Sequence, residues 1–222
     1  MADDEHVTGL FEIHIFVEPL DPPADVVERF RAACLAARPP MKALLLALDY
    51  TGKGFVEVMQ SSRYVEGDVA LAREAAHRDA ELLRAAGLTV VREKVEALVS
   101  DPGVPREAGE AARSPADRYF EFHVLIDGKE RALSEADMVA LRGLSESLAA
   151  RFARPVPLSY NALKPAQRFL NLRARGVGLA EAQQSVDEVV GAIGALDLVV
   201  KKTIAEYICF DTNRALDNGW LE

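Results

Sequence analysis

The chain has 222 residues, half of them hydrophobic and 27% charged, which supplies one large core or two small ones and excludes a largely disordered chain. Its 26 Lys and Arg against 35 Asp and Glu give a formal charge of −9, which argues against an extended nucleic-acid surface because counterion release needs many cations on one face. The most apolar stretch, residues 43–48, is far too short to span a bilayer, and the acidic start at residues 1–6 leads into no long apolar segment, so a cytoplasmic protein without membrane contact is expected.

In chain order, residues 11–18 alternate apolar and polar positions and predict a strand. Pro22 and Pro23 then open a helix on which Val26, Val27, Phe30, Ala33, Cys34 and Ala37 recur at helical spacing, and Pro39-Pro40 ends it. Residues 42–50 and 55–63 predict a hairpin across Thr51-Gly52-Lys53-Gly54. A helix over 68–86, closed by Gly87, and a strand over 89–100 complete the first half. Residues 102–117 are rich in Pro, Gly and charge and read as a linker.

The same order then returns. A strand over 118–126 precedes a helix opened by Ser134, with Asp137 as its capping-box acid and Leu141, Leu144, Leu148 and Phe152 on one face. Strands over 156–163 and 168–175 meet across Lys164-Pro165. A helix from about Leu179 carries Ala182, Val186, Val189, Val190, Ile193 and Leu196 on one stripe, and a strand over 198–210 follows. Residues 211–222 form a tail in which Asp211 and Asn213 suit an Asx turn, while Trp220 and Leu221 are expected to fold back onto apolar surface.

The repetition extends to individual residues. Phe11-Glu12-Ile13-His14 returns as Phe120-Glu121-Phe122-His123, a spacing of 123 minus 14, or 109 residues. Val90-Val91-Arg92 aligns with Val199-Val200-Lys201 at the same spacing. The order strand, helix, strand, strand, helix, strand resembles the ferredoxin-like βαββαβ unit. It implies an α+β protein of two tandem ferredoxin-like domains related by internal duplication, 8–101 and 118–210, with the linker between them and the tail 211–222 behind. Paired βαβββ modules of the glyoxalase type are the nearest competitor, and the long helical stripe before the last strand argues against them.

In the ferredoxin-like fold both helices cover one face of the sheet. Alternation then leaves Glu12, His14, Phe16 and Glu18 on the open face of the first half, and Glu121 and His123 on that of the second. The family's strand order, 4-1-3-2, would border them with Arg92, Lys94, Glu96, Lys201, Thr203 and Tyr207 from the fourth strands, and with Glu57, Ser61, Arg63, Asn171, Arg173 and Arg175 from the third. The candidate catalytic pair is therefore His14 and His123. The candidate ligand-binding set is Glu12, Arg63, Arg92, Lys94, Glu96, Glu121, Arg173 and Lys201, in a pseudo-twofold cleft that takes a small anionic ligand, phosphorylated ones included. A duplicated chain with one strand histidine per repeat is similar to the two-histidine phosphoesterases, which implies metal-independent phosphoester cleavage with one imidazole as base and the other as acid. That family's His-x-Thr or His-x-Ser hydroxyl is replaced here by Phe16 and Leu125.

No metal and no cofactor are expected, and the oligomeric state stays open. The rival is a scaffold or interaction module in which the Glu-His pairs are structural. Cys34 and Cys209 read as buried free thiols, and His6 and His77 receive no function.

Overall fold

Helix ends follow the local chemistry. In the computed structural model, which describes residues 7–18, 21–50, 53–127, 132–164 and 166–221, the helix α1 (Ala24–Ala36) starts directly after Pro23, and Phe30, Ala33 and Cys34 are its buried stripe. The Asp68 carboxylate accepts the Leu71 amide at the start of α2 (Val69–Ala85), and Gly87, at φ +75°, ends it while the Leu88 amide returns to the Leu83 carbonyl. Ser134 and Asp137 form a reciprocal capping box on α4 (Glu135–Phe152). The short α3 (Ala108–Ala111) lies between the halves, and α5 (Leu179–Gly194) follows Gly178. No helix among the described residues is long and apolar enough to cross a membrane. The expected turn residues Thr51, Gly52 and Pro165, and the N-terminal stretch with His6, lie outside the described residues.

Eight strands complete the α+β architecture: β1 (Thr8–Glu18), β2 (Lys42–Tyr50), β3 (Gly54–Asp68), β4 (Thr89–Leu98), β5 (Tyr119–Asp127), β6 (Leu158–Asn161), β7 (Arg168–Arg175) and β8 (Val199–Asp211). They form one closed antiparallel barrel in the order β1-β3-β2-β6-β7-β5-β8-β4. Each half alone has the ferredoxin-like order, β4-β1-β3-β2 and β8-β5-β7-β6. Two seams join them: β4 with β8, and Leu46 to Leu48 of β2 with Ser159 to Asn161 of β6. The expected pair of sheets, one per half with a cleft between their open faces, is corrected here to a single closed barrel. The outer strands of an open four-stranded sheet carry unpaired backbone groups, and closure satisfies them. Both open faces thereby become the wall of one lumen.

The apolar core lies outside that lumen, between sheet and helices. Phe11, Ile13, Ile15 and Val17 of β1 belong to one buried cluster with Ala72, Ala75, Ala76, Ala80 and Leu83 of α2; Phe120, Phe122, Val124 and Ile126 of β5 share it with Ala182, Val186, Val189 and Ile193 of α5. Burying each large side chain contributes about 1.5–3 kcal/mol, so this layer carries the fold. The segment 102–117 is strapped to both halves: Thr8 donates to the Pro102 carbonyl at 3.2 Å, Leu179 donates to the Pro105 carbonyl at 3.0 Å, and Val104 is buried. A Cβ added at Gly178 would lie 2.5 Å from the Arg106 carbonyl oxygen, so only glycine admits this close approach.

The expected residue alignment of β4 with β8 also changes. Phe16 pairs with Arg92 and Val17 with Val90, whereas Leu125 pairs with Lys202 and Ile126 with Val200. Val91 and Lys201 are thus the extra residues of matching β-bulges. The counterpart of Arg92 is Lys202, and that of Glu96 is Glu206.

Candidate functional site

The lumen contains a cavity of about 340 Å³. Its wall is built by alternation: β1 contributes Glu12, His14 and Phe16, β5 contributes Glu121, His123 and Leu125, β4 contributes Arg92, Lys94 and Glu96, and β8 contributes Lys202, Ile204 and Glu206. Register sets Glu12 opposite Glu96 and Glu121 opposite Glu206. Each histidine, two residues along its strand, therefore meets two carboxylates.

His14 Nε2 lies 3.2 Å from Glu96 Oε2 and 3.6 Å from Glu12 Oε1. Its Nδ1 is 3.0 Å from the Ser61 carbonyl oxygen, which can only accept, so Nδ1 carries hydrogen. The Gln60 amide, 3.2 Å from the same nitrogen, then fits with its oxygen towards the ring. His123 repeats the arrangement: Nε2 is 3.4 Å from Glu206 and 3.5 Å from Glu121, while Nδ1–H faces Asn171 Oδ1 at 2.7 Å. The Asn171 amide nitrogen donates to the Pro157 carbonyl at 2.9 Å and to Ser159 Oγ at 3.0 Å, which leaves its oxygen for the imidazole.

Burial alone would lower both imidazole pKa values. The charge and hydrogen bond of Glu96, helped by Glu12, overrule it for His14, and Glu206 with Glu121 does so for His123; each is raised to about 9. Both rings are imidazolium at neutral pH. Neither keeps a free lone pair for proton abstraction, so the expected base and acid pair is not what this geometry offers.

Lys94 joins the two clusters, 2.7 Å from Glu96 Oε1 and 3.1 Å from Glu121 Oε1. Arg173 holds Glu121 Oε2 at 2.8 Å and Asp217 at 2.7 Å, and Arg92 holds Asp211 at 2.6 Å and Asp217 at 2.8 Å. Burial opposes ionisation of Glu96 and Glu121, but Lys94 with His14 in one case and Lys94 with Arg173 in the other hold both carboxyls well below the usual range. Glu206 differs. Burial and the neighbouring Glu96 raise it to about 7 against the pull of His123.

The two ends of the lumen are unlike. At one, Asp217, Trp220 and Leu221 of the tail are buried; Trp220 and Leu221 pack on Leu48, Tyr50, Val56 and Val58, and the Trp220 ring N–H donates to the Leu158 carbonyl at 3.3 Å. At the other, exposed Lys42, Tyr64, Lys164 and Lys202 ring the mouth, and among the described residues these three lysines have no ion-pair partner. Between lie the apolar walls Leu44, Leu46, Leu125, Phe169 and Ile204.

Of the expected site residues, Glu12, His14, Arg92, Lys94, Glu96, Glu121 and His123 line the cavity, and Arg173 is buried behind Glu121. Arg63 and Lys201 lie elsewhere. Arg63 points outward and donates to Asp79 of α2 at 2.5 Å, because β3 turns its even positions, Gln60, Ser62 and Tyr64, towards the strand neighbours Phe16, His14 and Glu12. The expected inward set Glu57, Ser61 and Arg63 had the opposite parity; Val56 and Val58 look like helix-facing core residues but fill the closed end of the lumen against Trp220. Lys201 sits in the bulge, exposed, 3.7 Å from Asp127, and the expected inward Thr203 and Tyr207 take the helix-side parity, opposite Val124 and Phe120. Glu206, Lys202 and Asp217 were not anticipated. A spacing of 110 rather than 109 along the last strand would have exposed the first two, while the position of Asp217 depends on the path of the tail.

No family model matches the chain, and no curated protein matches it. Among solved structures, it is similar to a protein assigned as a monooxygenase from Fusobacterium nucleatum subsp. nucleatum (10% identity, 96% of each chain covered, TM-score 0.35). It is also similar to the chlorite dismutase of Candidatus Nitrospira defluvii in complex with imidazole (10% identity, 90% of this chain and 91% of that one, TM-score 0.29). Likenesses this distant carry no functional argument, and they supply no link to two-histidine phosphoesterases.

Proposed function

We propose that the barrel binds a small amphipathic anion, carboxylate or phosphate bearing, with its charged group at the lysine-ringed mouth and its apolar part against Leu44, Leu46, Leu125, Phe169 and Ile204. The observation that supports this reading is the placement of Lys42, Lys164 and Lys202, free of ion pairs among the described residues, around an apolar-walled cavity in a chain of formal charge −9. Elsewhere in the lumen cations are spent on carboxylates. Convergent charge above an apolar wall is the ordinary form of a small-molecule site. In this reading the halves 8–101 and 118–210 descend from one duplicated unit, and the ligand occupies the lumen they enclose. Two ion-paired imidazolium rings provide no base for phosphoester cleavage.

The scaffold alternative has one observation in its favour: the Glu-His clusters satisfy one another without a ligand. Titration with 8-anilinonaphthalene-1-sulfonate, an amphipathic anion, separates the two. The expected result is a saturable rise in fluorescence at one probe per chain, weakened about tenfold or more in the Lys42→Glu, Lys202→Glu double variant. Absence of saturable binding, or binding indifferent to the charge reversal, would favour the scaffold.

A further inference from the structure

Three donor atoms converge at the first-half cluster. Glu12 Oε1, His14 Nε2 and a Glu96 carboxylate oxygen lie within 4.8 Å of one another, and among the described residues no other set of three His, Cys, Asp or Glu ligand atoms does so. We propose that Glu12, His14 and Glu96 form a binding site for one divalent first-row transition ion, with its open side facing the lumen.

The tautomer is the first support. With Nδ1–H committed to the Ser61 carbonyl, Nε2 is aimed at two carboxylate oxygens, and such an arrangement requires a positive species among the three atoms. A proton on Nε2 bridges to only one oxygen at a time. A metal ion at about 2.0–2.2 Å from each donor engages all three, and separations of 3.2 and 3.6 Å between the nitrogen and the two oxygens suit ligands sharing such an ion. Binding would expel the Nε2 proton to solvent.

The second support is the surrounding shell. Each ligand is oriented by a group that is not itself a ligand: Ser61 for His14, Ser62 and Tyr64 hydroxyls for Glu12, and Lys94 for Glu96. Metal sites use such partners to fix ring orientation and carboxylate direction. Cross-strand pairing of Glu12 with Glu96 fixes the spacing of the two carboxylates on rigid β1 and β4.

One imidazole and two carboxylates suit Mn(II), Fe(II), Co(II) or Zn(II). Calcium and magnesium favour all-oxygen shells, and copper(I) favours sulfur. Three protein donors with a remaining face on a cavity leave room for an exchangeable ligand, as open rather than structural sites do.

The second half provides an internal control. His123, Glu121 and Glu206 repeat the residue types, but Glu121 is already held by Lys94 on one oxygen and Arg173 on the other. A metal there would have to displace two buried cations. The first cluster has hydroxyls where the second has Arg173.

The test is a Co(II) titration of tag-free, chelator-stripped protein, followed by visible absorption, with Zn(II) stoichiometry measured by elemental analysis after dialysis. One ion per chain is expected. His14→Ala and Glu12→Gln should each weaken binding about 100-fold or abolish it, and Tyr64→Phe should weaken it about tenfold through the shell. His123→Ala and His77→Ala should still bind one ion. Glu12→Gln changes a half-buried ligand without opening a cavity, so it reports even if His14→Ala does not fold, as judged by circular dichroism. Failure of the wild type to hold a stoichiometric ion, or equal loss in His123→Ala and His14→Ala, would overturn the site. The readout needs no organic ligand, so it stands apart from the sulfonate titration.

Discussion

In the first half of the barrel Glu12 is held by two hydroxyls, Ser62 and Tyr64; in the second its counterpart Glu121 is held by two cations, Lys94 and Arg173. The backbone frame is the same, down to the register that sets each glutamate across from another. What differs is the means of neutralising buried carboxylates. Fixed guanidinium and ammonium groups lock Glu121 as part of the structure, while hydroxyls orient Glu12 and its charged partner is the titratable ring of His14, 3.6 Å away. One frame therefore supports a static charge lock on one side and a site that can accept a further cation on the other.

The largest way to break this comparison is to remove the lock. Arg173→Met leaves Glu121 and Asp217 short of a buried partner, and urea unfolding should show a loss of about 3–5 kcal/mol. A loss below about 1 kcal/mol would mean that the second cluster is no more locked than the first.

A smaller effect is carried by His123 and depends on pH. Its pKa rises from 6.5 to about 9 in the fold, because Glu206 and Glu121 outweigh burial. A raised folded pKa means that the protonated ring stabilises the native state; that contribution is complete below about pH 6.5 and is lost as pH rises through about 9. The stability gap between wild type and His123→Gln should therefore be wide at pH 6 and narrow at pH 10. A gap that stays constant would show that Glu206 and Glu121 do not hold the proton.

The smallest effect belongs to Tyr64→Phe. The side chain is 55% exposed and gives Glu12 one hydrogen bond of 2.7 Å, so thermal and urea unfolding should register no more than about 1 kcal/mol. Paired with Arg173→Met, it measures how unequal the two halves are.

Much of the architecture is legible in the chain itself. Period-2 alternation marks Phe11, Ile13, Phe120 and Phe122 as core, and the matched Glu-x-His then falls on the opposite face, where the structure has it. Three things are not legible, each for a physical reason. Barrel closure depends on pairing β2 with β6 and β4 with β8, and edge strands carry no local mark of their partner. The parity of β3 misleads because Val56 and Val58 are apolar for the sake of Trp220 rather than a helix. The counterpart of Glu96 is hidden because the second half has one residue more between its third and fourth strands, so β7 keeps the spacing of 109 while β8 takes 110, and both halves still look well aligned.

The tail that ends in Trp220 and Leu221 gives the barrel a direction its two similar halves do not have. Without it the lumen would be a passage with equivalent entrances; with Asp217 tied to Arg92 and Arg173, it is a flask with a stopper at its base. A ligand bound as proposed would enter and leave by the same neck, past Lys42, Lys164 and Lys202. The chemistry of that neck would then govern both arrival and departure.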